Sequence, residues 1–92
     1  DIPGYYKNIR TGESRNVQVK NVSSKGLMFT THDPDELQLN DYLSFSFEID
    51  NDKKSKIERN AKVRHLKKNH VGIEFINPPD FDIDFDLYLL PE

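Results

Sequence analysis

The sequence predicts an all-β fold, a small antiparallel barrel or sandwich with six candidate strands. Two observations carry that prediction. Apolar residues recur at every second position through most of the chain, the period of a strand with one face buried. Clusters of Gly, Pro, Asn and Asp interrupt those runs at short intervals. Short strands at such spacing suit closed all-β folds, in which closure protects the edges.

The elements follow in order. The first strand is expected near 4–10 and ends at Thr11-Gly12-Glu13. The second, near 14–22, alternates Val17 and Val19 with Gln18 and Lys20. The third, near 26–32, sets Leu27, Phe29 and Thr31 against Met28 and Thr30, and stops at Asp33-Pro34-Asp35. The fourth, near 42–50, is the clearest: Leu43, Phe45, Phe47 and Ile49 share one face, and Ser44, Ser46 and Glu48 the other. After the turn at Asp50–Lys54 comes a weaker fifth strand, near 56–66, with Ala61, Val63 and His65 on its apolar side. Lys68-Asn69 turns the chain into a sixth strand, near 70–76, where Val71, Ile73 and Phe75 alternate with Gly72 and Glu74. The tail reads both ways. Asp80 to Asp86 alternates like a strand, yet Phe81, Phe85, Tyr88 and Leu89 fall on a helical stripe, and Pro78-Pro79-Asp80 is a helix start.

Composition narrows the function. The 92 residues are expected to form one domain, 1–92. Because the chain opens on Asp1 and not on methionine, it is read as a fragment of a longer protein. The absence of cysteine excludes disulfides and thiolate metal sites, and a reducing cytoplasm is the expected compartment. No apolar run reaches the length of a membrane span, so no membrane insertion is expected. The net charge of −3 argues against DNA or RNA as a general partner, which normally needs a strong positive field. A small anion is a different matter, because local charge decides it. Every Lys and Arg lies at or before Lys68, and the end of the chain is acidic.

The most specific stretch is Asn21-Val22-Ser23-Ser24-Lys25-Gly26. Gly26 can take a positive φ without penalty. Asn21 can bond its own backbone two residues on. Ser23 both donates and accepts. An Asx-type turn would use all three, and so would a loop that grips phosphate oxygens or a guanine edge. The setting adds to this. A strand precedes the stretch, Leu27-Met28-Phe29 follows it directly, and Val71-Gly72-Ile73-Glu74-Phe75 comes late in the chain. Together these resemble the PilZ domain family. Its hallmark is [Asp/Asn]-x-Ser-x-x-Gly between the second and third strands, with an apolar-Gly-apolar-x-Phe signature late in the barrel. The resemblance covers roughly residues 4 to 90.

That resemblance implies a six-stranded antiparallel β-barrel with a short C-terminal helix, near 80–90. It also implies binding of cyclic di-GMP, a bacterial second messenger, with no further cofactor. Asn21, Ser23 and Gly26 match, position by position, the family residues that bond the guanine and the phosphate-sugar ring. Ser24, Lys25 and Arg64 are candidates for additional phosphate or partner contacts. In one respect the chain departs from the pattern. Nucleotide-binding members carry Arg-x-x-x-Arg just before the first strand, whose guanidiniums stack on guanine and pair with phosphate. Nothing basic precedes Lys7, and Arg10 and Arg15 have the wrong spacing. Asp1-Ile2-Pro3 resembles what often follows the second family arginine, so the arm is expected upstream.

Two functions follow from different classes. In the first, the domain is a sensor: the ligand orders the arginine arm, and an attached domain or protein partner reads the change. In the second, it is a PilZ-like interaction module that does not bind the nucleotide. It would dock through an exposed Phe81 or Phe85, or through the basic band of Arg59, Lys62, Arg64, His65, Lys67, Lys68 and His70. The plain reading of that band is a solvated outer face; its functional reading is extra phosphate contact or a docking surface for a partner. A single-strand nucleic-acid barrel is disfavoured by the negative charge.

No metal or catalytic site is expected. His32, His65 and His70 lack the spacing and partners of a zinc site. Asp80, Asp82, Asp84 and Asp86 lack the Gly and Glu of a calcium loop, since Phe85 and Pro91 stand at those positions. Ser23 and Ser24 lack a nucleophile setting, and no phosphate loop of the NTPase type is present. The expected role is binding and not catalysis.

Overall fold

The structure is a computed structural model and describes residues 2–32, 36–79 and 82–90. Six strands form a closed antiparallel barrel: β1 (Ile2–Asn8), β2 (Ser14–Val22), β3 (Gly26–Thr30), β4 (Tyr42–Glu48), β5 (Lys56–Lys67) and β6 (His70–Phe75). The order around the wall is β1-β2-β3-β6-β5-β4, and β4 pairs back onto β1 through Gly4↔Phe47 to Asn8↔Leu43. A short helix, α1 (Ile83–Leu89), follows.

The alternation of the sequence becomes the inside and outside of this wall. Val17, Val19, Leu43, Phe45, Phe47, Val71, Ile73 and Phe75 are all buried. Aromatic rings fill the lumen in a continuous column. Tyr6 meets Phe29 at 5.6 Å between ring centres, Phe29 meets Phe45 at 5.3 Å, and Phe45 meets Phe47 at 6.1 Å. Tilted pairs at such distances are favourable beyond their buried area.

Each end of the barrel has its own closure. At the end carrying the β1–β2 turn, Leu37 is buried over a polar cluster. The Asp41 carboxylate accepts from Arg10 Nε at 2.8 Å, from the Gln38 backbone N–H at 2.9 Å and from Asn8 Nδ2 at 3.0 Å. The Tyr6 hydroxyl donates to Glu36, and burial together with that carboxylate pushes the phenol well above its ordinary value. This cluster explains why β1 stops at Asn8 and not near residue 10. Asn8 turns its amide inward to Glu36 and Asp41, and Ile9 beyond it is exposed.

The helix closes the other end. Asp82 caps it by accepting the Phe85 N–H at 3.4 Å. Phe85 is buried against Phe47 at 5.6 Å and Phe75 at 6.4 Å. So Phe85 cannot mark a docking surface, as one expectation had it; Phe81 lies outside the described residues. Arg59 also leaves the solvated band. Its side chain is 9% exposed, pairs with Asp82 at 3.0 Å and lies 5.5 Å from the centre of the Phe85 ring. No helix among the described residues is long and apolar enough to cross a membrane.

Register shifts break the alternation in two places. Between β2 and β3 the pairing jumps from Val19↔Phe29 to Asn21↔Met28, leaving Lys20 as the extra residue. Between β5 and β6 it jumps from Val63↔Ile73 to His65↔Gly72, leaving Arg64 as the extra residue. A bulge of this kind reverses which side chains face out. Asn21 therefore faces out and Val22 packs against the core. On β5, His65 is exposed and Leu66 packs inward, which corrects the placement of His65 beside Ala61 and Val63 on the apolar side.

Candidate functional site on the outer wall

Both bulges flank one groove. It has a volume of about 700 Å³ and runs down the outer wall over β3, β6 and the end of β5. Asn21, Ser23, Lys25 and Gly26 line it from the loop, and Arg64, Lys67 and His70 from the far strands. Val22, Met28 and Gly72 contribute an apolar floor.

The loop is built by short-range bonds that start from its sequence. The Ser23 N–H donates to the Gly26 carbonyl at 2.8 Å. The Ser23 hydroxyl donates to the same carbonyl at 3.2 Å and accepts the Lys25 N–H at 3.3 Å. The Ser23 N–H is thus committed to Gly26, which leaves no Asx turn for Asn21 to form. The Asn21 side chain is exposed, and no hydrogen bond to it occurs among the described residues. It stands at the rim of the groove with its full donor and acceptor capacity.

Gly26 is needed for a reason other than its φ freedom. The glycine with positive φ is Gly12, at +78°, in the β1–β2 turn. At Gly26, a Cβ would sit 2.2 Å from the Ile73 carbonyl oxygen. Only a residue without a side chain lets β3 approach β6 there, and the Phe75 N–H to Lys25 carbonyl bond, 2.8 Å, depends on that approach. Gly72 has a related role. A Cβ on it would meet the His65 ring and Cβ at 3.2 Å, so the bare backbone at Gly72 lets the imidazole lie across the groove floor.

The local charge opposes that of the chain. Among the described lining residues the permanent charges are Lys25, Arg64 and Lys67 against the carboxylate of Glu74. Arg64 pairs with Glu74, its Nη2 2.8 Å and its Nε 3.0 Å from the same oxygen. The arrangement suits a ligand with anionic groups and a flat apolar part, since it combines cations, hydrogen-bonding side chains and an apolar floor.

Five of the six residues singled out in the sequence come together here: Asn21, Ser23, Gly26, Lys25 and Arg64. Ser24, at the exposed loop tip, does not line the groove. Sequence reasoning missed Glu74 as a groove residue, although its outward place in the strand signature was a signal. His65 was named both in the basic band and on the apolar side of its strand, and the bulge between Val63 and His65 decides for the outward place. No group of three or more His, Cys, Asp or Glu able to hold a metal occurs among the described residues.

The fold and this groove define a small closed β-barrel whose candidate site is on its outer wall and not in its lumen, which is filled by side chains. A family model, the PilZ domain, matches residues 2–84, and the chain belongs to that family. PilZ domains are generally cyclic di-GMP-binding modules and not enzymes. Among curated proteins, none matches the chain significantly.

Proposed function

We propose that this domain binds cyclic di-GMP in the outer groove and acts as a sensor whose ligand-bound surface is read by an attached domain or a protein partner. The observation that carries the reading is the convergence of Asn21, Ser23, Lys25, Gly26 and Arg64 on one cationic groove with an apolar floor. Asn21 supplies an amide to a guanine edge, Lys25 and Arg64 supply charge to the phosphates, and the floor of Met28, Gly72 and His65 takes a base. Ser23 acts through the loop it closes. No bond of the ligand is made or broken. β1 begins at the barrel end that carries this loop, since Ile2 pairs with Val19, so an arginine arm ahead of Ile2 would emerge beside it. The arm and the cytoplasmic setting belong to the same reading.

The test is a calorimetric titration of cyclic di-GMP into the natural full-length protein and into its Asn21→Ala/Ser23→Ala variant. Binding near micromolar that the variant loses supports the sensor. No heat from folded protein at high ligand removes it.

One observation favours the alternative, an interaction module that does not bind the nucleotide. Ile83, Leu87 and Leu90 are 56%, 59% and 61% exposed on one side of α1 and its end. Apolar side chains grouped in this way are common at protein–protein contacts.

A further inference from the structure

We infer that Glu74 is an internal competitor for phosphate, holding the anion-gripping edge of Arg64 until a ligand displaces it. This rests on the groove being a site for a phosphate ligand and identifies the residue that sets its affinity.

The geometry of the pair is the starting point. Arg64 uses Nε and Nη2 on Glu74, at 3.0 and 2.8 Å. Those two nitrogens form one edge of the guanidinium, and that edge takes a phosphate or carboxylate through parallel N–H bonds. The remaining nitrogen, Nη1, reaches Asn40 Oδ1 only at 3.5 Å. The carboxylate thus occupies the position in which a ligand phosphate would bind.

The pairing is a choice made by the fold. In register, Glu74 stands directly opposite Lys62, an obvious partner. Yet the Lys62 ammonium lies 5.4 Å from the centre of the Tyr42 ring. Arg64 reaches Glu74 diagonally, from the bulge that turns it onto the groove. Glu74 is also the one carboxylate among the described lining residues.

The pair is poised to exchange. Its side chains are 44% and 54% exposed, and exposed ion pairs are held weakly. A phosphate that takes Arg64 releases a carboxylate that water resolvates at once. Removing the carboxylate should therefore strengthen phosphate binding, and should do so through Arg64.

The experiment titrates inorganic pyrophosphate into the natural full-length protein, followed by the NMR signals of Arg64 Nε–Hε and of the Gly26 and Gly72 amides. Wild type, Glu74→Gln, Arg64→Ala and the double variant are compared. Glu74→Gln is expected to tighten pyrophosphate binding about three- to tenfold and to steepen its salt dependence. In the Arg64→Ala background the gain should shrink to about twofold or less, the part due to simple repulsion. No gain on Glu74→Gln, an equal gain without Arg64, or no pyrophosphate response in any folded variant overturns the inference. The cyclic di-GMP reading is separable. Heat with cyclic di-GMP but no gain from Glu74→Gln sinks only the competitor. A pyrophosphate gain without any cyclic di-GMP heat sinks only the nucleotide assignment.

Discussion

A methyl group at Gly26 would lie 2.2 Å from the Ile73 carbonyl oxygen, well inside contact distance. The obstacle is backbone, which cannot rotate away, so β3 would have to part from β6. Gly26→Ala is expected to destabilise the barrel by about 2 kcal/mol in urea unfolding. Gly72→Ala meets only the movable His65 side chain, and its stability should stay within about 1 kcal/mol of wild type. Equal losses at the two positions would refute this account of Gly26. Asp41 shows the same dependence on surroundings in electrostatic form. The Arg10 guanidinium, then the Gln38 N–H and Asn8 amide, hold its carboxyl below the ordinary value of 3.8. A depressed folded value means a contribution that is complete above the unfolded value and lost as pH falls below it. Stability should therefore drop as pH falls below about 4, and Asp41→Ala should flatten that limb while costing about 2–3 kcal/mol at pH 7. Urea midpoints of both proteins across this range are the check.

At the scale of elements, α1 is a lid made of one buried ring. Phe85 fills the mouth of the barrel, with Arg59 across its face and Asp82 tying that arginine to the helix cap. Phe85→Ala should cost about 3 kcal/mol through the cavity it leaves. It should change cyclic di-GMP affinity less than about twofold, because Phe85 lies outside the groove and the six strands pair without it. A large loss of affinity would link the helix to the site. The helix was legible as an alternative in the sequence: the stripe through Phe85 and Leu89 is the face that packs inward. The bulges were not legible. One extra residue at Lys20 or Arg64 leaves no mark in composition, yet it decides whether Asn21 and His65 face the groove or the core.

For the whole molecule, closure governs both stability and folding. Strands distant in sequence must pair, β1 with β4 and β3 with β6, before the wall is complete. Such topology favours a single cooperative transition with folding in milliseconds to seconds. Circular dichroism and the fluorescence of tyrosine, including buried Tyr6, should then trace coincident urea curves. Two separated transitions would mean that part of the wall opens alone. The groove is positive on a chain of net charge −3, so its attraction for an anion is local. Local attraction falls as salt is added and shortens the Debye length, and charges farther apart than that length are screened most.

By itself the sequence determined the strands, their turns, the all-β class and the 21–26 motif. All of these rest on neighbours a few residues apart, whose spacing decides face, turn and strand end. Tertiary structure alone decided three things. It gave Gly26 its role through the Ile73 carbonyl, it moved Arg59 from a surface band to the helix, and it turned His65 outward. Each depends on which distant strand or helix lies alongside, and for the strands on the register. That is settled only when the barrel closes and brings together residues that the chain keeps far apart.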